Sequence, residues 1–310
     1  MMVCVVTGGA GFIGSHLVDS LVAQGEEVVV IDSLSTGSRE NLASHLSTGS
    51  IQIIIRDLLA DGWQEVLSEA DCVCHLAADP DVRMSSVSPL SQIQNNVMAT
   101  FRVLEAMRTG AAGEILFTST STVYGDATVL PTPETYTPLE PISVYGASKL
   151  ACEALISSYC HSYGMRGHVY RFANIIGARS GHGIIVDFIR KLSENPHELE
   201  ILGDGTQRKS YLLVDECVDA MLFAAQKGKD QYNVFNIGSE DWIDVQSIAD
   251  IVSRGMGLSD VKYRYTGGSR GWIGDVPKMQ LSIAKLKDLG WSPHRDSRKS
   301  VEEAVRSMLG

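Results

Sequence analysis

The sequence predicts an α/β fold, a doubly wound parallel sheet with a smaller, interleaved C-terminal α/β substrate lobe. Three observations predict it. Apolar, strand-like runs alternate with helical periodicities through the first half of the chain. The first of these runs stops at a glycine cluster that opens directly into a helix. Beyond Asn174 the elements become shorter and glycine more frequent, which marks a second lobe.

The run Val3-Cys4-Val5-Val6-Thr7 ends in Gly8-Gly9-Ala10-Gly11-Phe12-Ile13-Gly14, and Phe12, Ile13, Leu17, Val18 and Leu21 then recur at helical spacing. Dinucleotides bind at such turns. Gly8, Gly11 and Gly14 let the backbone approach a pyrophosphate, and the first turn, with Phe12 and Ile13, offers unpaired N–H groups and the positive end of the helix dipole. A second strand, Glu27–Asp32, ends in a carboxylate about twenty residues on, where adenine ribose hydroxyls would lie. Asp32 favours NAD over NADP, because a carboxylate repels a 2′-phosphate and accepts hydrogen bonds from a 2′-hydroxyl. Arg39 is the one nearby cation that argues otherwise. The polar stretch Ser33, Ser35, Thr36 and Gly37 is placed to line the adenosine. A glycine-rich turn can also be a bare tight connection; strand, glycines, helix, strand and Asp in that order within about thirty residues favour the ligand.

At 310 residues, 44% hydrophobic and 20% charged, the chain has an ordinary globular composition, with enough length for one large core and a smaller lobe. No apolar run reaches membrane-spanning length, and the N-terminus enters a strand without a basic segment or cleavage site, so a cytoplasmic location is expected. A net charge of −11 argues against nucleic-acid binding and leaves room for a local basic pocket. The six cysteines and eight histidines show no metal-ligand spacing; the cysteines read as small buried hydrophobes and His75 as a hydrogen-bonded structural residue, so no metal is expected.

A third strand, Ile51–Ile55, leads to Asp57-Leu58, and a fourth, at 71–76, runs through Leu76 to Ala77-Ala78. Strand ends of this kind gather at one edge of a parallel sheet, which makes these residues candidate cofactor contacts. A long helical pattern at 89–107 carries Asn96 near its middle. The fifth strand is expected from Ile115 to Gly125, its end crowded with hydroxyls from Thr118 to Thr122. Residues 126–143 form a long ordered loop, and such loops are commonly functional. The helix after it starts at Tyr145-Gly146-Ala147-Ser148-Lys149, and the strand 168–172 leads to Asn174. The expected division is residues 1–173 for the cofactor domain, with about 212–240 returning to it, and 174–310 for the substrate lobe. Basic residues concentrate at 207–209 in an otherwise acidic chain.

Tyr145 and Lys149 are four apart and share a helix face. A phenol with a reference pKa of ~10 is a poor base at neutral pH, so it needs a neighbouring cation. Lys149 supplies one and a bound nicotinamide a second. Thr120, at the preceding strand end, can bridge the phenol and a substrate hydroxyl. Alone the pair could be a surface contact; behind a dinucleotide turn the catalytic assignment is favoured.

Thr7 to Gly14, Asp57-Leu58, His75-Leu76-Ala77-Ala78, Asn96, Ser119-Thr120 with Val123-Tyr124-Gly125, Tyr145 to Lys149 and Arg171-Phe172-Ala173-Asn174 together resemble the extended short-chain dehydrogenase/reductase superfamily, in its NAD-dependent epimerase/dehydratase family. Among its members the pattern is most similar to the UDP-glucose (UDP-galactose) 4-epimerases. The resemblance implies a Rossmann domain binding NAD, with Asn96, Thr118, Tyr145, Lys149 and Phe172 among the cofactor contacts. It implies that Asn174, Lys209, Tyr211, Arg270 and Asp275 face a UDP-sugar, Lys209 standing where an arginine is usual, and that Thr120 also meets the sugar. Helices containing Asn96 and Cys152 resemble those that pair in family homodimers. Related dehydratases carry Asp-Glu, and UDP-glucuronate decarboxylases a Glu, just before Val-Tyr-Gly; here Ser121-Thr122 stand there, so elimination lacks its acid. The implied reaction is oxidation at C4, rotation of the 4-keto sugar and return of the hydride to the other face. Alternatives are the same reaction on a UDP-N-acetylhexosamine or UDP-uronic acid, Met279 resembling a position that gates N-acetyl access, or a net NAD-dependent oxidoreductase.

Overall fold

The computed structural model of the chain describes residues 1–82, 87–272 and 274–310, so Ile273, inside the tail segment 270–275, lies outside it. A seven-stranded sheet is built from β1 (Val3–Thr7), β2 (Glu27–Asp32), β3 (Ile51–Ile55), β4 (Cys72–His75), β5 (Glu114–Thr120), β6 (Arg166–Phe172) and the strand Tyr232–Ile237. Its order is Tyr232–Ile237, β6, β5, β4, β1, β2, β3. The fold class is therefore the doubly wound parallel sheet that the sequence predicts.

β1 lies between β2 and β4, with Val5 opposite Val29 on one side and Val73 on the other. Strands covered on both faces are apolar throughout, and Val5, Val6, Val30, Ile31 and Val73 are fully buried. One core cluster joins Val5, Val29 and Val73 to Val103, Leu104, Met107, Cys152 and Ile156, which project from the helices Ala99–Thr109 and Val144–Tyr163. The strand order reverses between β1 and β4, and ligands of open parallel sheets bind beyond the strand ends at such a point. Thr7 pairs with His75 there, so the glycine turn and Leu76-Ala77 leave the sheet side by side.

Two predicted elements differ. The fifth strand ends at Thr120 and a 3₁₀ turn, Ser121–Tyr124, follows. The reason is local: Thr120 Oγ1 accepts the N–H of Thr122 at 3.2 Å, which turns the chain out of the ladder. The long helical pattern is three pieces, Pro89–Gln92, a π-helical stretch Ile93–Met98, and Ala99–Thr109. Asn96 sits in the π stretch.

The chain divides into two compact units, one of residues 1–123, 140–171 and 221–235, the other of 124–139, 172–220 and 236–310. These bounds depart from the expected 1–173, 212–240 and 174–310. Residues 124–139 join the second unit because Thr132 bridges to Leu281, donates to the carbonyl of Gln280 at 2.9 Å and accepts from Ser282 N at 2.9 Å. Such long-range pairing leaves no periodic signal.

The second unit holds small sheets. Asn174–Ile176 pairs in parallel with Tyr211–Leu213, Glu198–Ile201 with Lys262–Tyr265, and Arg208–Lys209 lies between Ile243–Asp244 and Lys278–Met279. Its core gathers Ile185, Phe188, Leu192, Ile248, Ile251, Val252, Val301 and Val305. Among the described residues no helix is long and apolar enough to cross a membrane.

Candidate active site

Gly8 has φ +73°, and a Cβ there would lie 2.6 Å from the amide nitrogen of Ala77. On Gly14 a Cβ would lie 2.1 Å from the carbonyl oxygen of Gly8. The turn therefore admits only glycine at both places, and the helix Phe12–Ala23 packs directly onto it. Gly11 caps that helix without any side-chain hydrogen bond, and no acidic residue lies in its first turn, which holds Phe12 and Ile13. The first N–H groups are thus left for an outside anion. This bare helix start on a glycine turn fits the pyrophosphate of a dinucleotide.

Asp32, 8% exposed, accepts from Ala10 N at 2.9 Å and from Leu34 N at 2.7 Å. It fastens the glycine turn to the end of β2, and a carboxylate so engaged keeps lone pairs for ribose hydroxyls. Beyond it Ser33, Ser35 and Thr36 are exposed, with Ser33 Oγ donating to Ser35 Oγ at 3.0 Å. A Cβ on Gly37 would lie 2.9 Å from the carbonyl carbon of Ala10, so this loop is folded tightly over the turn. Asn41, which sequence reasoning missed, donates to Ala10 O at 2.9 Å. Asp57 is exposed and turns the chain by accepting from Leu59 N at 2.8 Å, while Leu58 is buried. Leu76, Ala77 and Ala78 are half-buried, and Leu76 N donates to Thr7 O at 3.0 Å.

Asn96 is buried and occupied by protein. Its Oδ1 accepts from Asp79 N at 2.8 Å, and its Nδ2 donates to Gln92 Oε1 at 2.9 Å and Ser148 Oγ at 2.8 Å. The contact with Ser148 ties it to the helix that carries Tyr145 and Lys149. Phe172 is buried at the end of β6.

Ser143 caps the helix Val144–Tyr163, accepting from Gly146 N, and places Tyr145 in the first turn. The Thr120 hydroxyl stands near the Tyr145 phenol and favours its ionised form. Thr120 Oγ1 already accepts from Thr122 N and Thr122 Oγ1, at 3.2 and 3.1 Å, so its own hydrogen is left to donate toward the phenol. That donation favours phenolate, yet burial outweighs it and pushes Tyr145 up to about 12. Lys149, 3% exposed, donates to Thr118 O at 2.9 Å, and its Nζ stands 4.7 Å from the Phe117 ring centroid. Burial brings it down to about 8. In the protein alone the amine therefore discharges before the phenol ionises. The expectation that Lys149 acidifies Tyr145 thus needs the second positive centre.

One buried group, Glu153, was missed as part of this site, and a second, His75, is the hydrogen-bonded structural residue that the sequence leads one to expect. Glu153, one turn beyond Lys149, pairs with Arg171 at 2.6 Å and accepts from Ser119 Oγ. His75 lies between Thr7 Oγ1 at 2.7 Å and Thr100 Oγ1 at 2.9 Å. The Glu153 signal was its spacing of four from Lys149.

In the second unit Asn174 stands opposite Tyr211 and its Nδ2 donates to Ser210 O at 3.1 Å. Lys209 pairs with the buried carboxylate of Asp275 at 2.6 Å and its Nζ lies 5.2 Å from the Trp272 ring centroid. Arg270 reaches the main-chain oxygen of Asp275 and pairs with Asp126 at 2.8 Å. Burial, with Asp275 next, raises the Tyr211 phenol. Lys209, Tyr211, Arg270 and Asp275 are thus brought together; Trp272 and Asp126 are additions to them.

The model of the NAD dependent epimerase/dehydratase family matches residues 4–238. A UDP-glucose 4-epimerase of Mycolicibacterium smegmatis is 30% identical over 97% of this chain and 96% of its own length. UDP-glucuronic acid decarboxylase 1 of Arabidopsis thaliana is 32% identical over 97% of this chain and 68% of its own. A crystal structure of a UDP-galactose 4-epimerase superposes with a TM-score of 0.89 at 44% identity, covering 99% of this chain and 98% of that one. With the glycine turn, Asp32 and the Tyr145–Lys149 helix all in place on the matched span, the chain belongs to the NAD dependent epimerase/dehydratase family.

Proposed function

We propose that the protein is a 4-epimerase of a UDP-hexose, interconverting UDP-glucose and UDP-galactose. One observation carries the reading within the family. Where β5 ends, Thr120 faces Tyr145 and accepts from Thr122 Oγ1 at 3.1 Å, so the side chains that β5 and the turn after it bring to Tyr145 are hydroxyls, and the carboxylate whose charge reaches the phenol, Asp79, comes from the loop after β4 and not from the two positions before Val123-Tyr124-Gly125. That set serves proton transfer to and from one sugar oxygen and lacks the acid that loss of water requires.

Tyr145 takes the proton of the C4 hydroxyl as phenolate and gives it back after the ketone has turned over. Thr120 donates to the phenol oxygen and orients it. Lys149 holds positive charge beneath both. The glycine turn, Asp32 and the ends of β1, β2 and β4 would hold NAD, which would supply a hydride acceptor and then donor for C4, so that the cycle would have no net redox change. Lys209, Arg270, Asn174 and Tyr211 are assigned to the diphosphate and uridine. A lysine in place of a guanidinium keeps the charge and loses the two-pronged fork, which suits a grip that lets the sugar rotate.

A homodimer belongs to the same reading: Leu90, Ile93, Met98 and Phe101 along the helical stretch 89–109 are exposed apolar side chains suited to a second copy, and light scattering tests this. Six buried, unpaired thiols suit a reducing compartment such as the cytoplasm.

The test is a panel of UDP-glucose, UDP-galactose, UDP-N-acetylglucosamine and UDP-glucuronate incubated with the purified protein without added cofactor, products identified by NMR, with Tyr145→Phe as control. Interconversion of the first two is expected. Turnover confined to one of the others would replace the sugar assignment, and accumulation of an oxidised sugar would end the 4-epimerase reading.

A further inference from the structure

Three consecutive residues of β5 are tied to three successive turns of the helix Val144–Tyr163. Thr120 stands near the Tyr145 phenol, Thr118 accepts through its carbonyl from Lys149 at 2.9 Å, and Ser119 Oγ donates to Glu153 Oε1. Tyr145, Lys149 and Glu153 are spaced four apart and form one stripe. The first two ties belong to the chemistry. The third has been given no role.

We infer that Glu153 is a positioning residue of this reaction: through Ser119 it locks the strand end that carries Thr118 and Thr120, and it keeps a fixed negative charge one turn behind Lys149. The inference rests on the 4-epimerase reading above.

Glu153 and Arg171 are 3% and 5% exposed. The guanidinium engages both carboxylate oxygens, Nε at 3.1 and 3.2 Å and Nη2 at 2.6 Å. A buried ion pair is a poor way to gain stability, since well-packed apolar residues of the same volume do as well or better. Its use here lies in place and sign. Lys149 faces the Thr118 carbonyl and the Phe117 ring on β5, His75 on β4, and Cys152 and Glu153 on its own helix. Burial keeps His75 neutral and the Cys152 thiol protonated. Cys152 and, after it, Glu153 favour the ammonium form of Lys149, and with the Cys152 thiol kept protonated Glu153, through its carboxylate, is the one of the two that carries a charge. Arg171 holds that carboxylate in one geometry and Ser119 passes the geometry to the strand. A carboxylate free to swing would instead pull Lys149 away from the Thr118 carbonyl.

Glu153→Gln and the double variant Glu153→Gln, Arg171→Met test this in the holoenzyme with UDP-galactose, with kcat and KM followed from about pH 6 to pH 10. Both are expected to lower kcat about tenfold or more at unchanged KM and to move the alkaline limb of kcat down by about half a pH unit or more. The double variant also removes the buried guanidinium that Gln would leave without its carboxylate, so it carries the test should the single one fail to fold. The same displacement is read without turnover from the titration of Lys149 in ¹⁵N-lysine NMR spectra of the holoenzyme. An unmodified protein inactive on UDP-galactose would count against the 4-epimerase reading while the NMR titration still judged Glu153. A lowered Tm with the Lys149 titration and the alkaline limb unmoved would reduce Glu153 to a structural role and overturn the inference.

Discussion

The ammonium of Lys149 donates to the carbonyl of Thr118 at 2.9 Å, so the buried cation is fastened two residues from Thr120, the partner of Tyr145. The same burial that holds it in place opposes its charge and brings it down to about 8 from 10.5. Site and stability therefore pull in opposite directions.

Lys149→Met is expected to separate them. At ~1.36 kcal/mol per pH unit, burying the charge costs folding on the order of 3 kcal/mol. Because the folded value is the lower one, the unfolded chain binds more protons between about 8 and 10.5, so the cost is complete below about 8 and fades as pH rises through that window. Cofactor-free Lys149→Met should melt several degrees higher at pH 7, with the gain shrinking toward pH 10, while turnover falls by about 10³ or more. A variant less stable than the parent at pH 7 would contradict this.

The glycine turn gives a second contrast. A Cβ on Gly14 would meet the carbonyl of Gly8 at 2.1 Å, whereas on Gly25, at φ +81°, it would meet nothing within 4 Å. Gly14→Ala should cost about 3 kcal/mol or more and strip NAD from the purified protein, since helix and turn must part. Gly25→Ala should cost about 1 kcal/mol from backbone strain alone and keep the cofactor. Urea melts and the cofactor content of each preparation decide it.

Why one half of the site was legible and the other less so follows from what fixes each residue. Gly8, Gly14 and Asp32 are dictated by backbone geometry within a single βαβ unit, and Tyr145 and Lys149 by one helix face, so spacing alone finds them. The strand end at Thr120 escapes spacing because a side chain, not a break in β propensity, turns the chain. Strands of two or three residues, such as Arg208–Lys209 and Tyr211–Leu213, are too short for any periodicity and exist only through partners far along the chain. Residues 126–143 read as a loop for the same reason: the groups that fix Thr132 lie beyond residue 235. Asn96, which the resemblance places at the cofactor, also has protein partners in Asp79, Gln92 and Ser148, and these lie too far apart along the chain for spacing to show them.

In the second unit the pair Lys209–Asp275 lends itself to a double-mutant cycle. Asp275 is 3% exposed, accepts from Gly271 N at 2.9 Å and is paired with Lys209 at 2.6 Å. Lys209→Met should destabilise by about 3 kcal/mol, mostly the cost of a buried carboxylate left without its cation, and Asp275→Asn added to it should restore most of the loss. UDP affinity should stay low in both, because the cation assigned to the diphosphate is absent from both. Recovery of UDP binding in the double variant, measured by calorimetry, would remove Lys209 from the substrate contacts.

His75 should leave its mark on acid unfolding. Its two ring nitrogens lie 2.7 and 2.9 Å from the hydroxyls of Thr7 and Thr100, an arrangement open to one neutral tautomer that donates to one and accepts from the other. Burial foremost, with Lys149 next, lowers it from 6.5 to about 3. The folded value being the lower, the unfolded chain binds the extra proton between those limits; stability tied to the neutral ring is complete above about 6.5 and is lost as pH falls toward 3. The full loss is on the order of 5 kcal/mol at ~1.36 kcal/mol per pH unit. His75→Gln removes the titration. It should be less stable than the parent at pH 7 by about 2 kcal/mol, for the hydroxyls left without the ring, yet lose less between pH 7 and pH 4.5. Urea unfolding at those two pH values reads the difference, and equal losses in parent and variant would show that the ring is not held neutral.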